Sequence, residues 1–166
     1  MAELKTKLDE LTGADPEQKE RLLADLAELL NRCSYHGGGG GGFAFHDPEI
    51  AALPERLTSA QARVIALRAG AILRDTREPE QVRGAAAFVL GKAHVLEALE
   101  AVCRAIADDG KLAAEVARQC AFAYDVLSKS CGPAGTWAAP ETLARHFRRQ
   151  GIPWDDDARR VMIERL

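Results

Sequence analysis

Aromatic side chains are scarce in this chain, which has five phenylalanines, two tyrosines and two tryptophans among 166 residues. A core of any size must therefore be built mainly from small aliphatic side chains. β-Branched residues are few as well, with eight valines, six isoleucines and six threonines against 30 alanines and 19 leucines. That balance disfavours sheet and favours helix, because alanine and leucine give up little side-chain entropy on a helix. No apolar run approaches the roughly 18 residues that a membrane span needs. The first ten residues alternate charge with leucine and hold no apolar signal core. A basic excess is also missing: the formal charge is −3, which argues against a dedicated nucleic-acid binder and its phosphate contacts.

Only four cysteines occur, Cys33, Cys103, Cys120 and Cys131, and their spacing is irregular. Cys103 and Cys120 fall in helical patterns where small apolar residues belong. They are expected as free thiols in a reducing cytoplasm, not as a disulfide framework. What is present suffices to fold: 47% apolar and 28% charged residues exclude a disordered chain, and the length fits one domain.

Leu4, Leu8 and Leu11 recur at helical spacing up to Gly13. Asp15-Pro16-Glu17 then opens a second helix, with an acid to cap it and proline at its first position. Leu22, Leu23, Leu26, Leu29 and Leu30 supply its apolar stripe. The same opening returns at Asp47-Pro48-Glu49 and at Glu78-Pro79-Glu80, with prolines 32 and 31 residues apart. Such a period signals stacked repeats when the apolar positions follow it. Leu22, Leu23, Leu26, Ala27 and Leu30 fall on Ala85, Ala86, Val89, Leu90 and Ala93. A further shift of 34 residues places Val82, Ala86, Val89 and Ala93 on Val116, Cys120, Ala123 and Leu127. The second unit is the poor member, since Pro54 interrupts it.

Between the repeat helices lie others. One, capped by Ser59, carries Val64, Ile65, Leu67, Ala71, Ile72 and Leu73; the next carries Val95, Leu96, Leu99, Val102, Cys103 and Ile106 up to Asp108-Asp109-Gly110. Two more finish the chain, from Pro140 to Gln150 and from Asp155 to Leu166. No segment alternates with period two over a strand's length, so the expected fold class is all-α.

The segment from about Arg63 to Ser130 resembles HEAT-type repeats of the bacterial, bilin-lyase-related form. The residues that carry the resemblance are Glu78-Pro79-Glu80-Gln81-Val82-Arg83, the alanine-rich Gly84 to Phe88, Leu90-Gly91, and Glu97-Ala98-Leu99 in register. A second copy from Glu115 to Tyr124 keeps the valine, moves the arginine to Arg118, and has Asp125 at the glycine position. The resemblance implies a short α-solenoid of antiparallel helix pairs with capping helices, each pair burying its apolar edge against a neighbour. A tetratricopeptide array has a similar period, but His94, Cys103 and Ala107 fill its larger positions poorly. In this reading residues 1–33 are N-terminal helices, 34–47 a glycine-rich linker, 48–130 the repeats and 131–166 capping helices.

Motifs that could carry chemistry reduce to few. Gly37, Gly39 and Gly42 match a dinucleotide loop only trivially, since a helix and not a strand precedes them. Six glycines make a flexible tether of roughly 13 Å mean span. Cys33, His36, His46 and Asp47 could supply metal ligands, but not at a specific zinc spacing, so no metal and no cofactor is expected. The chain contains no His-Glu dipeptide, which the diiron hydroxylases built on HEAT-like repeats use in pairs. Trp137, Trp154 and Asp155 to Asp157 offer ingredients of a HEAT-like glycosylase, but outside the repeats of an acidic chain.

The expected function is non-enzymatic: binding another protein through the surface of successive second helices. The alternatives are a lyase or enzyme accessory subunit, and anion or nucleic-acid binding through Arg145, Arg148 and Arg149. Phe88 and Phe122 occupy equivalent positions 34 residues apart on the flank of the buried arc, and Arg83, Arg118 and Asp125 are expected farther round, toward the exposed side. These five residues make up the expected binding face.

Overall fold

Alanine-rich helices can approach one another closely, and the packing of this chain is governed by that fact. The structure is a computed structural model; it describes residues 2–34, 57–109, 112–130 and 148–149. Six helices run through the described residues: α1 (Ala2–Gly13), α2 (Pro16–Ser34), α3 (Ser59–Arg74), α4 (Glu80–Ala93), α5 (Leu96–Asp108) and α6 (Ala114–Ser130). The described part of the chain is all-helical, without strands. No described helix is long and apolar enough to cross a membrane.

Helix starts follow local chemistry, with two departures from expectation. Asp15 opens α2 by accepting from the backbone N–H of Gln18 at 2.9 Å. At α3 the cap is Thr58, one residue before Ser59. Its hydroxyl accepts from Gln61 N at 3.2 Å, and the Gln61 carboxamide accepts from Thr58 N at 2.7 Å. The reciprocal pair satisfies two orphan donors, which serine at position 59 with its partner at 62 (an alanine) could not. At α4 the proline is the N-cap itself, and no side chain caps the helix. Glu78 instead receives the Lys19 ammonium from α2.

The buried residues sit where the repeat period puts them. Val82, Ala86, Val89 and Ala93 are buried on α4, and Val116, Cys120, Ala123 and Leu127 are buried on α6. Helix α4 is central: α2 packs along one flank and α6 along the other, while α3 and α5 pack together beneath. The described helices thus form two layers, α2–α4–α6 and α3–α5, with α1 laid against α2. Lys7 of α1 reaches Asp25 of α2 at 2.5 Å.

Glycine sets the spacing within each layer. A Cβ on Gly70 of α3 would lie 2.7 Å from the Ala101 Cβ of α5. On Gly91 of α4 it would lie 3.2 Å from both the Ala123 Cα and the Phe122 ring of α6. Glu80 at the start of α4 adds a polar tie by accepting from the backbone N–H of Glu115 at 2.8 Å. It satisfies an orphan donor at the positive end of α6.

One helix contains more apolar residues than its buried side can use. Ile65, Ala66, Ala69 and Leu73 of α3 are buried, but Val64, Leu67 and Ala71 face outward. His94 is the C-cap of α4 and has a left-handed backbone with φ of 46°. Burial, then the Lys92 charge, holds its imidazole pKa below the ordinary value.

Candidate functional site

The outer face of the α2–α4–α6 layer carries most of the residues expected for binding. On α4 the outward positions are Gln81, Ala85, Phe88 and Lys92, and on α6 they include Arg118, Phe122 and Asp125. Each set recurs at i, i+4, i+7, so each marks one stripe along its helix. The glycine contact at Gly91 brings the two stripes together.

Phe88 and Phe122 meet across that contact. Their ring centroids are 5.8 Å apart with planes 21° from parallel. The ammonium of Lys92 lies over both, 5.1 Å from the Phe88 centroid and 5.3 Å from that of Phe122. An aromatic pair of this kind contributes about 0.5–1.5 kcal/mol beyond area burial, and a cation over an exposed ring about 0.5–1 kcal/mol. The rings therefore fill the gap between adjacent helices and at the same time present an edge to solvent, since Phe122 remains 38% exposed. Lys92 was absent from the expected set. Its signal was its position, one turn beyond Phe88 on the same stripe.

Arg118 and Asp125 flank the rings on the exposed side of α6. Arg118 grips Glu115 in two places, Nε to Oε2 at 2.9 Å and Nη2 to Oε1 at 2.6 Å. These bonds, with a further one from Gln119, hold the Glu115 carboxyl below its ordinary pKa. The pair is local to its own helix and leaves the guanidinium largely in solvent.

Arg83 is not part of this face. Although it was expected toward the exposed side, it is only 8% exposed and shares its face of α4 with the buried Ala87 and Leu90. Its Nε donates to the Leu73 carbonyl at 2.8 Å, and its Nη2 donates to Asp109 Oδ2 at 2.6 Å. The side chain turns inward because the last carbonyls of α3 and the C-cap acid of α5 both need a donor at that point. Arg83 is a clamp between the two layers, and the expected exposed position is corrected accordingly.

Two described thiols lie on inward faces, Cys120 on α6 and Cys103 on α5. Neither forms a disulfide, as expected for them, and both are fully buried. Burial pushes the Cys120 thiol up to about 12, against a smaller opposing effect of Arg83. A thiol so protonated at neutral pH is a small apolar side chain, not a nucleophile. Among the described residues no group of three or more His, Cys, Asp or Glu is placed to hold a metal ion. The Cys33, His36, His46 and Asp47 cluster lies outside the residues whose side chains are described, as do the glycine run, Arg145, Trp137, Trp154 and Asp155 to Asp157. Arg148 and Arg149 are described, and both are exposed.

An aromatic pair with a cation above it, edged by an arginine and an acid, offers apolar area with a charged rim. No protein-family model matches the chain, and neither does any curated protein or any solved structure.

Proposed function

We propose that this chain is a short array of HEAT-type helix pairs that binds another protein through the outer face of α2, α4 and α6. The packing of alternate helices, α2 on α4 on α6 and α3 on α5, supports the repeat reading. The observation that carries the binding reading is the Phe88–Phe122 stack beneath Lys92, partly in solvent at the contact of α4 with α6. Aromatic and arginine residues dominate the energy of protein interfaces, and ordering costs little when the rings are already stacked in place. The partner contact centres on the two rings, with Arg118 and Asp125 at the rim. The chain acts as an adaptor without chemistry of its own.

The test is charge reversal at the rim. An Arg118→Glu, Asp125→Lys double variant loses the partner that co-purifies with the native protein, while helicity and melting temperature stay nearly unchanged. A variant with Arg148→Glu and Arg149→Glu keeps it. Retention in the first variant and loss in the second would assign binding to the C-terminal arginines instead.

A further inference from the structure

A second adhesive surface lies on the other layer. Ala60, Val64, Leu67 and Ala71 of α3 recur at i, i+4, i+7 and i+11, and all four are exposed. Val64 is 46% and Leu67 63% exposed, which makes them two of the three large hydrophobics in solvent among the described residues. At 100° per residue these four positions form one stripe directly opposite Ala62, Ile65, Ala66, Ala69 and Leu73, the residues buried against α4 and α5.

Charge frames this stripe on both sides. Arg63 and Arg74 run along one edge and Arg68 along the other, all exposed, and α3 contains no aspartate or glutamate at all. That composition stands out in a chain with 25 acidic against 22 basic side chains. Two of the arginines are steered by neighbours without leaving the surface: Arg63 Nε lies 3.0 Å from Glu97 Oε1 of α5, and Arg74 Nε donates to the Gly70 carbonyl at 3.3 Å.

We propose that the exposed face of α3 docks an amphipathic helix of a partner protein whose apolar stripe is bordered by acidic residues. Its leucine-like side chains sit over Val64, Leu67 and Ala71, and its carboxylates meet Arg68 on one edge and Arg63 and Arg74 on the other. A second copy of this chain fits the stripe poorly. Two-fold pairing of α3 would oppose its own arginines, and the exposed side of α2 offers Glu17, Glu20, Asp25 and Glu28 without a large apolar residue fully outward among them. An anionic membrane would find only Val64 and Leu67 to insert. The site is independent of the Phe88–Phe122 face, and its failure would leave that reading standing.

The test uses the full chain and a fluorescein-labelled synthetic helix with leucine at i, i+3, i+4 and i+7 flanked by glutamate, read by anisotropy. The same peptide with lysine in place of glutamate is the comparison. The expected result is saturable binding of the glutamate peptide, at least about tenfold tighter than the lysine peptide and weakened by salt. Binding falls by about tenfold in Arg68→Glu and also in Val64→Ser with Leu67→Ser, none of which touches the core. Equal affinity for the two peptides, or binding to neither, would overturn the proposal. So would a salt-sensitive attachment to phosphatidylserine vesicles in place of the peptide, or a dimer in sedimentation that Leu67→Ser dissolves.

Discussion

Arg83, in the first turn of α4, and Asp109, at the C-cap of α5, join the two layers of helices. The guanidinium of Arg83, set in α4, bonds Asp109 at the C-cap of α5 and the Leu73 carbonyl in the last turn of α3. One planar side chain thus satisfies acceptors on two helices of the opposite layer. The Arg83 side chain is 9% exposed and that of Asp109 23%, so the pair is shielded from water at the arginine end.

Removing one partner of a shielded pair leaves the other charge stranded. Arg83→Ala is expected to cost about 3 kcal/mol or more, because Asp109 and the Leu73 carbonyl both lose their donor. Arg83→Lys recovers little, since an ammonium cannot reproduce the fork that spans both acceptors. Asp109→Asn costs less than either, as its carboxylate keeps partial access to water. Denaturant midpoints of the three variants check the order.

Glycine-to-alanine changes are expected to differ in sign along the chain. On propensity alone, alanine gains about 1 kcal/mol in a helix interior. At Gly70 the added carbon would meet the Ala101 Cβ at 2.7 Å, and at Gly91 a backbone atom at 3.2 Å, so both variants lose stability as helices move apart. At Gly13 nothing lies within 4 Å, and Gly13→Ala gains up to about 1 kcal/mol. Thermal unfolding of the three single variants reads the signs directly.

How much of this was legible in the sequence depended on whether a residue's role is set by its own helix or by another. The buried positions Ala86, Val89, Cys120 and Ala123 follow from period alone, because a helix must turn its apolar arc inward. The glycine at Gly91 likewise appears in the repeat signature, and Asp125 can replace its counterpart because no described helix packs beyond α6. Arg83 was misplaced because its destination, the ends of α3 and α5, is a tertiary fact invisible to helical spacing. Val64 and Leu67 were indistinguishable from core residues, since α3 is apolar on most of its circumference. Phe88 and Phe122 were found by their equivalence, but their stack required knowing that Gly91 lets α4 and α6 touch.

Both described thiols should resist modification in the folded protein. Cys120, pushed up to about 12, and the equally enclosed Cys103 should remain unlabelled by iodoacetamide at pH 8 until denaturant is added. Mass spectrometry of the tryptic peptides identifies which cysteines carry the label. Rapid native labelling at Cys120 would contradict its burial.

Acid should act on the turn between α3 and α4. Asp75 is held down to about 2 by hydrogen bonds from the Arg77 side chain and then its backbone. Its folded-state pKa lies below the unfolded value of about 4, so its contribution is complete above that value and lost as pH falls toward about 2. The carboxyl carbon of Asp75 should titrate in this lower range by NMR, and Asp75→Asn should shallow the acid limb of the stability curve. The Asp75 side chain is 30% exposed and that of its Arg77 partner 89%, which keeps the effect small and salt-sensitive. A midpoint near 4 would show that the Arg77 bonds do not persist in solution.

The most direct measurement of the proposed binding face is photocrosslinking from within it. A photoreactive phenylalanine analogue placed at position 122 sits at the edge of the ring stack, where 38% of the native side chain meets solvent. Irradiated in extract of its native cell, the protein should form one dominant adduct with another protein, and the yield should collapse in the Arg118→Glu, Asp125→Lys background. The same analogue at position 149 should give no such adduct. A dominant adduct from position 149, with none from position 122, would contradict the assignment of binding to the Phe88–Phe122 face.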